Sequence, residues 1–175
     1  VYDRLSGQLR DRDATASLEA AEQSVRYSRM LLESRGEDAT WSQRETLAQS
    51  CNNLALLYAT NGQAKKAMTL LAEAAHQLDQ AQDRDALVLT LSNLGKLQVQ
   101  VSDDLAAIQT YKQAIEAQAR LLVKSPGNLN YVSRLGGLYN NLAFALQSQN
   151  QSENAQQAYA FAIEHQERAY QLAPK

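Results

Sequence analysis

Helix breakers, cysteines and surplus charge are all scarce in this 175-residue chain. With two prolines and seven glycines there is little to interrupt a helix, so helices are the natural default. The single cysteine, Cys51, excludes an internal disulfide and a cysteine-only metal cluster. A formal net charge of -2 and a pI near 5.7 provide no broad positive field to neutralise phosphates, which argues against a nucleic-acid partner. The longest apolar run, Leu54 to Ala59, is far shorter than the roughly 20 residues of a membrane span. No secretory signal is visible, so no membrane partner and a cytoplasmic location are expected.

The motifs of chemistry are missing too. There is no glycine-rich phosphate loop, no zinc-binding pair of histidines at helical spacing and no nucleophile motif. His76 and His165 fall far apart in the sequence and are expected to face solvent or sit at helix ends. Cys51 shares an apolar stripe with Leu54 and Tyr58, which suits a small core residue better than a reactive thiol. Asp103 and Asp104 stand at an expected helix start, where they meet the helix dipole rather than serve as catalytic carboxylates. The chain is therefore read as non-enzymatic, with no cofactor and no metal. It begins at Val1 rather than at methionine, and a larger parent polypeptide is expected.

What the chain has is a 45% apolar fraction, enough for a core, and a repeat. Asn53, Leu54 and Ala55 return as Asn93, Leu94 and Gly95 after 40 residues, and as Asn141, Leu142 and Ala143 after 48 more. Ala67, Leu71 and Ala74 return as Ala107, Tyr111 and Ala114, then as Ala155, Tyr159 and Ala162. Ile115, Glu116, Gln118, Arg120 and Pro126 match Ile163, Glu164, Gln166, Arg168 and Pro174, each displaced by 48. Each unit holds two apolar patterns of helical period separated by a turn, as at Asn61 and Gly62, and reads as a helical hairpin. Thr40 with Gln43 resembles a capping box, and Pro126, Gly127 and Asn128 mark the equivalent break before the third unit.

These signals predict helices at about 13–34, 41–60, 64–81, 84–101, 104–124, 128–149 and 153–172, with a short extra helix over about 1–10. Residues 1–40 form an N-terminal partial repeat or capping helix, and 41–83, 84–127 and 128–175 are the three units of one continuous domain. A hairpin cannot bury its stripe alone, so the units are expected to stack into a solenoid. Ala55, Gly95 and Ala143 should meet Ala67, Ala107 and Ala155 where the helices of a pair approach.

The pattern Leu54, Ala55, Tyr58, Gly62, Ala67, Leu71, Ala74 resembles the tetratricopeptide repeat (TPR). The run Cys51 to Tyr58 resembles the kinesin light chain variety, and the long unit with Pro126, Tyr131, Tyr139 and Leu142 is similar to repeats of bacterial signalling proteins. Departures occur where Tyr58 becomes Gln98 and Leu146, and Gly62 becomes Ser102 and Asn150. The units exceed the common repeat of ~34 residues by about 6 and 14, near two and four turns. The resemblance implies an all-α, right-handed superhelical solenoid of antiparallel helix pairs, whose first helices line a concave groove. That groove would be made of Gln49, Asn53 and Leu56, then Asn93, Lys96 and Gln100, then Asn141, Phe144 and Ser148.

The recurring asparagine offers a donor and an acceptor that match a peptide group; alternatively it bonds neighbouring helices and holds the stack. Leu56 and Phe144 either supply apolar pockets or pack on the adjacent repeat. Lys96 is the stripe's one cation, which argues against a grip on a terminal carboxylate. The expected partner is an extended or helical segment of a protein or peptide. The runner-up is self-assembly or intramolecular regulation through the terminal helices. The last helix, with Tyr159, Ile163 and Tyr170, lacks a following unit to cover it, so a homo-oligomer through that helix is the second expectation.

Overall fold

The computed structural model describes residues 2–81 and 84–173, with the side chains of 15–36, 38–80 and 85–173. The repeat boundary read at Pro174, and the end of the second segment at residues 82 and 83, lie outside the described residues. The described residues are helical and contain no strand: α1 Tyr2–Arg35, a 3-10 turn Gly36–Asp38, α2 Trp41–Thr60, α3 Ala64–Ala81, α4 Arg84–Gln100, α5 Asp104–Lys124, α6 Leu129–Ser148 and α7 Ser152–Leu172. From α2 onward these spans follow the apolar periodicity. The first differs, because α1 is one helix where the sequence suggested a short helix and then a second. Arg10, Asp11, Arg12 and Asp13 contain neither glycine nor proline, so nothing stops the first helix there.

The chain divides into two compact units, residues 1–81 and 82–175. In the first, α2 packs against both α1 and α3. In the second, α4, α5, α6 and α7 pack in chain order, each on the next.

α2 starts where the sequence says it should. The Thr40 N–H donates to Gln43 Oε1 at 2.9 Å and the Gln43 N–H donates to Thr40 Oγ1 at 3.3 Å, closing the capping box. Leu47, Cys51, Leu54 and Tyr58 are buried on one side of α2 and Ala67, Leu71, Ala74 and Leu78 on α3. Ala55 is buried as well. Beside that stripe on α2, the Ser50 hydroxyl lies 3.0 Å from Ser24 Oγ and 3.2 Å from Ser28 Oγ of α1. Arg29 of α1 grips Glu73 of α3 with two nitrogens, at 3.0 and 2.7 Å. Both groups are part-exposed, so this fork fixes orientation more than it adds stability, on the order of 1 kcal/mol or less.

The second unit repeats this construction. Ala107 is buried on α5, but the side chain that meets Gly95 is Tyr111 rather than the expected Ala107; Ala143 and Ala155 are buried in the α6–α7 pair. Leu122 of α5, Val132 and Leu135 of α6 and Ala169 of α7 form one buried cluster, flanked by Ile115, Leu129, Tyr131 and Tyr139. Asp85 in the first turn of α4 accepts from the Tyr131 hydroxyl at 2.5 Å and from Arg134 at 2.8 Å, tying α4 to α6. Burial raises the Asp85 carboxyl, but these hydrogen bonds outweigh it and hold the group below the usual carboxylate range.

The three hairpin turns are one motif. Gly62, Ser102 and Asn150 all sit in the left-handed region, at φ of 70°, 61° and 56°. In each turn the residue after it donates five positions back, Gln63 to Tyr58 O, Asp103 to Gln98 O and Gln151 to Leu146 O, as a Schellman motif requires. The same residue then opens the next helix, its carbonyl accepting from Ala67, Ala107 or Ala155. The departures from glycine read in the sequence thus leave the turn geometry unchanged.

Candidate functional site

Because α4 carries glycine at position 95, α5 can bring a large ring against its backbone. A Cβ built there would stand 2.7 Å from the Tyr111 ring. Tyr111 is buried by that contact, which pushes its phenol up to about 12. Its ring forms the base of a hollow of about 240 Å³, walled by Lys96, Val99 and Gln100 of α4 and by Asn141 and Phe144 of α6.

Four of the residues expected in a groove, Lys96, Gln100, Asn141 and Phe144, are brought together here. Lys96 and Gln100 are exposed and Asn141 is half-buried. Among the described residues, Lys96 makes no ion pair, and the Asn141 amide and the Tyr111 hydroxyl have no side-chain hydrogen bond. Phe144 is 56% exposed, so it is not spent on packing. The hollow therefore presents a cation, two amides and an apolar ring over the buried Tyr111, with no ion pair or side-chain hydrogen bond to Lys96, Gln100 or Asn141 among the described residues.

The other expected residues lie elsewhere. Asn93 is exposed one turn before Lys96 on α4, outside the hollow and without a side-chain hydrogen bond among the described residues. Ser148 turns its hydroxyl back on its own helix, donating to the carbonyls of Phe144 at 3.3 Å and Ala145 at 3.0 Å. Gln49, Asn53 and Leu56 belong to α2 in the first unit, all exposed; the Gln49 amide donates to Asn53 Oδ1 at 3.1 Å. Sequence reasoning missed Val99 and Tyr111. Tyr111 was read as core from its match to Leu71, and it is buried; what that reading did not show is that its ring also borders the hollow.

A second hollow of about 360 Å³ lies in the first unit, between α1 and α3 over Leu54 and Tyr58 of α2. Several of its polar groups are engaged. The Tyr58 hydroxyl donates to Glu22 at 2.6 Å, Lys66 Nζ lies 4.9 Å above the Tyr58 ring, and Arg29 holds Glu73.

Cys51 is fully buried, and its thiol is pushed up to about 12 chiefly by that burial. Asp103 caps α5, accepting from the Ala106 N–H at 3.4 Å, in line with its expected place at a helix start. His165 corrects the expectation of a solvent-facing ring. It is half-buried, stacked on Tyr139 at 5.7 Å, and its Nδ1 is buried without a partner among the described residues. Burial pulls its pKa down; Glu164 opposes this and Arg168 adds to it. Among the described residues no helix is long and apolar enough to cross a membrane.

A tetratricopeptide-repeat family model matches residues 48–75, the stretch that carries α2 through the Gly62 turn into α3. Among solved structures, the chain is similar to BtubC (BKLC) from P. vanneervenii, with 23% identity, a TM-score of 0.62, and 89% of this chain and 57% of that chain covered. It is also similar to the nearly identical TPR-like repeats of a kinesin light chain from Podosopora anserina, with 17% identity, a TM-score of 0.51, and 90% and 89% covered. The chain thus spans little more than half the length of the BtubC structure. No curated protein matches its sequence. At these identities the likeness is one of fold: this is an all-helical, TPR-like repeat chain, with kinesin-light-chain-type repeats among its structural neighbours.

Proposed function

We propose that this chain, which carries a tetratricopeptide repeat at 48–75 and the fold of TPR-like repeat proteins, holds a segment of a partner protein against its first helices. Tetratricopeptide repeats are generally protein–protein interaction modules, and that coarser role is the starting point. The observation that carries the finer reading is the hollow on α4, α5 and α6, where four expected groove residues gather with no ion pair or side-chain hydrogen bond among the described residues. Amide groups at Asn141 and Gln100 suit the peptide backbone of an extended or helical segment regardless of its sequence. Phe144, Val99 and the Tyr111 ring suit an apolar side chain, and Lys96 suits one neighbouring carboxylate. Asn93 extends this surface along α4, and Gln49, Asn53 and Leu56 offer the corresponding stripe on α2. Ser148, bound to its own helix, is left as a boundary of the surface. In this reading the three units, 41–83, 84–127 and 128–175, act as a non-enzymatic cytoplasmic scaffold within a larger protein.

Panning a random-peptide library against the chain tests this. Peptides carrying an acidic residue beside an apolar one should be enriched. Their affinity should fall about tenfold or more when Lys96, Asn141 and Phe144 are changed together to alanine, while the thermal midpoint stays within a few degrees. Enriched peptides that bind the triple variant equally well would sink the groove.

A further inference from the structure

α1 and α3 each pack on α2 and leave a cleft between them, the hollow of about 360 Å³ in the first unit. Its walls follow helical spacing. Val25, Arg26 and Arg29 stand on one face of α1 and Lys66 and Leu70 on one face of α3, with Leu54 of α2 between them. The floor is apolar and sheltered from water: Val25 is 3%, Leu54 4% and Leu70 8% exposed. The rim is charged and unbalanced, with three cations in the lining against the one carboxylate of Glu22. Glu22 accepts from the Tyr58 hydroxyl, and Arg29 is held by Glu73. Two cations are left over. Arg26 is exposed and makes no ion pair or side-chain hydrogen bond among the described residues, and the Lys66 ammonium meets only the face of the Tyr58 ring there.

We propose that this hollow binds a small carboxylic acid with a short apolar body. The body lies along Val25, Leu54 and Leu70, and the carboxylate is met by Arg26 and Lys66. The groups left open on the rim are charged donors, so they select an acceptor that carries negative charge. A peptide backbone would also need acceptors for its own N–H groups. No asparagine or glutamine lines this hollow, and its one carboxylate already accepts from Tyr58. Size points the same way, since the hollow lies at the lower end of the roughly 300–1,000 Å³ of small-molecule sites. From Glu22 to Arg29 the wall of α1 rises about 10 Å, which limits the body to about the length of octanoate. The inference does not depend on the peptide surface of α4, α5 and α6.

The probe is octanoate, titrated into the isotope-labelled intact chain and followed by amide shifts in NMR. Saturable shifts are expected on α1 and α3 around Val25 and Leu70. Arg26→Met with Lys66→Met, which keeps the side-chain length and removes the charge, should weaken binding about tenfold or more. Octanol, which keeps the apolar body and lacks the charge, should bind the parent chain about tenfold or more weakly than octanoate does. Thr69→Trp fills the cleft from its α3 wall without altering a charge and should also weaken binding about tenfold or more. Lys96→Glu should leave the shifts unchanged, which separates this hollow from the peptide surface. Arg26, Lys66 and Thr69 are exposed, so the variants should melt like the parent. The proposal is overturned if the shifts do not saturate or if octanol binds as tightly as octanoate. It is equally overturned if binding survives Arg26→Met with Lys66→Met or Thr69→Trp, or if Lys96→Glu removes the shifts instead.

Discussion

Ser102 sits at φ 61°, in a conformation that costs an ordinary L-residue about 1–2 kcal/mol, and it does so because Gly62 and Asn150 mark the same position in the other two turns. Glycine would remove that strain at an entropic cost of roughly 0.5–1 kcal/mol. Ser102→Gly is therefore expected to stabilise the chain by about 0.5–1 kcal/mol in urea denaturation. A lower midpoint would mean that the Ser102 side chain contributes something the turn needs. The sequence showed this turn at Gly62 but could not show it at Ser102. Serine carries little intrinsic preference for the left-handed region, and what places it there is the pair of backbone bonds from Ser102 and Asp103 to Val99 and Gln98.

At the scale of elements, helix pairing depends on which small residue faces which large one. Gly95 faces Tyr111, whereas the corresponding positions of the first pair are Ala55 and Leu71. Alanine is favoured over glycine by about 1 kcal/mol in a helix, but a methyl group against the Tyr111 ring overpacks the contact by roughly 1–3 kcal/mol. Gly95→Ala should thus cost up to about 2 kcal/mol. Adding Tyr111→Leu, which copies the first pair, should restore most of the loss in the same denaturation experiment. Leu94→Ala, which empties a buried position beside it, should cost roughly 2–5 kcal/mol with no such rescue. If the double variant is no more stable than the single, the α4–α5 contact is not limited by that ring. The helices from α2 onward were legible from periodicity and breakers alone. The continuity of α1 was not, because charged residues such as Arg10 and Asp11 tolerate a helix without advertising one. Of the hollow, Lys96, Gln100, Asn141 and Phe144 lie on the stripes that the resemblance implied, whereas the part of Tyr111 in it was not legible, since periodicity reports which side a residue faces and not that its ring also borders a hollow.

For the whole molecule, pH gives a simple expectation. His165 has a folded pKa below its ordinary 6.5, so the stability it gives is fully present above 6.5 and is lost as pH falls through the folded value. Cys51 and Tyr111 are shifted the other way, to about 12 each from ordinary values of 9.0 and 10.0. Their contributions are fully present below those ordinary values and are lost as pH rises toward the folded ones. The thermal midpoint should therefore be flat between about pH 7 and 8.5 and fall on both sides. His165→Gln should flatten the decline between pH 7 and 5.5, and Cys51→Ala should delay the alkaline one. An acid limb unchanged in His165→Gln would assign that limb to other groups.

Each hairpin connection has no slack, since one residue both ends a helix and begins the next. Adding a single residue between Asn61 and Gln63 would have to be absorbed by rotating α3 through about 100°, turning Ala67 and Ala74 toward water. The stretch Ser125 to Asn128 between α5 and α6 carries no such double duty. Natural length variation, and any engineered insertion, should accumulate between the hairpins and spare their tips.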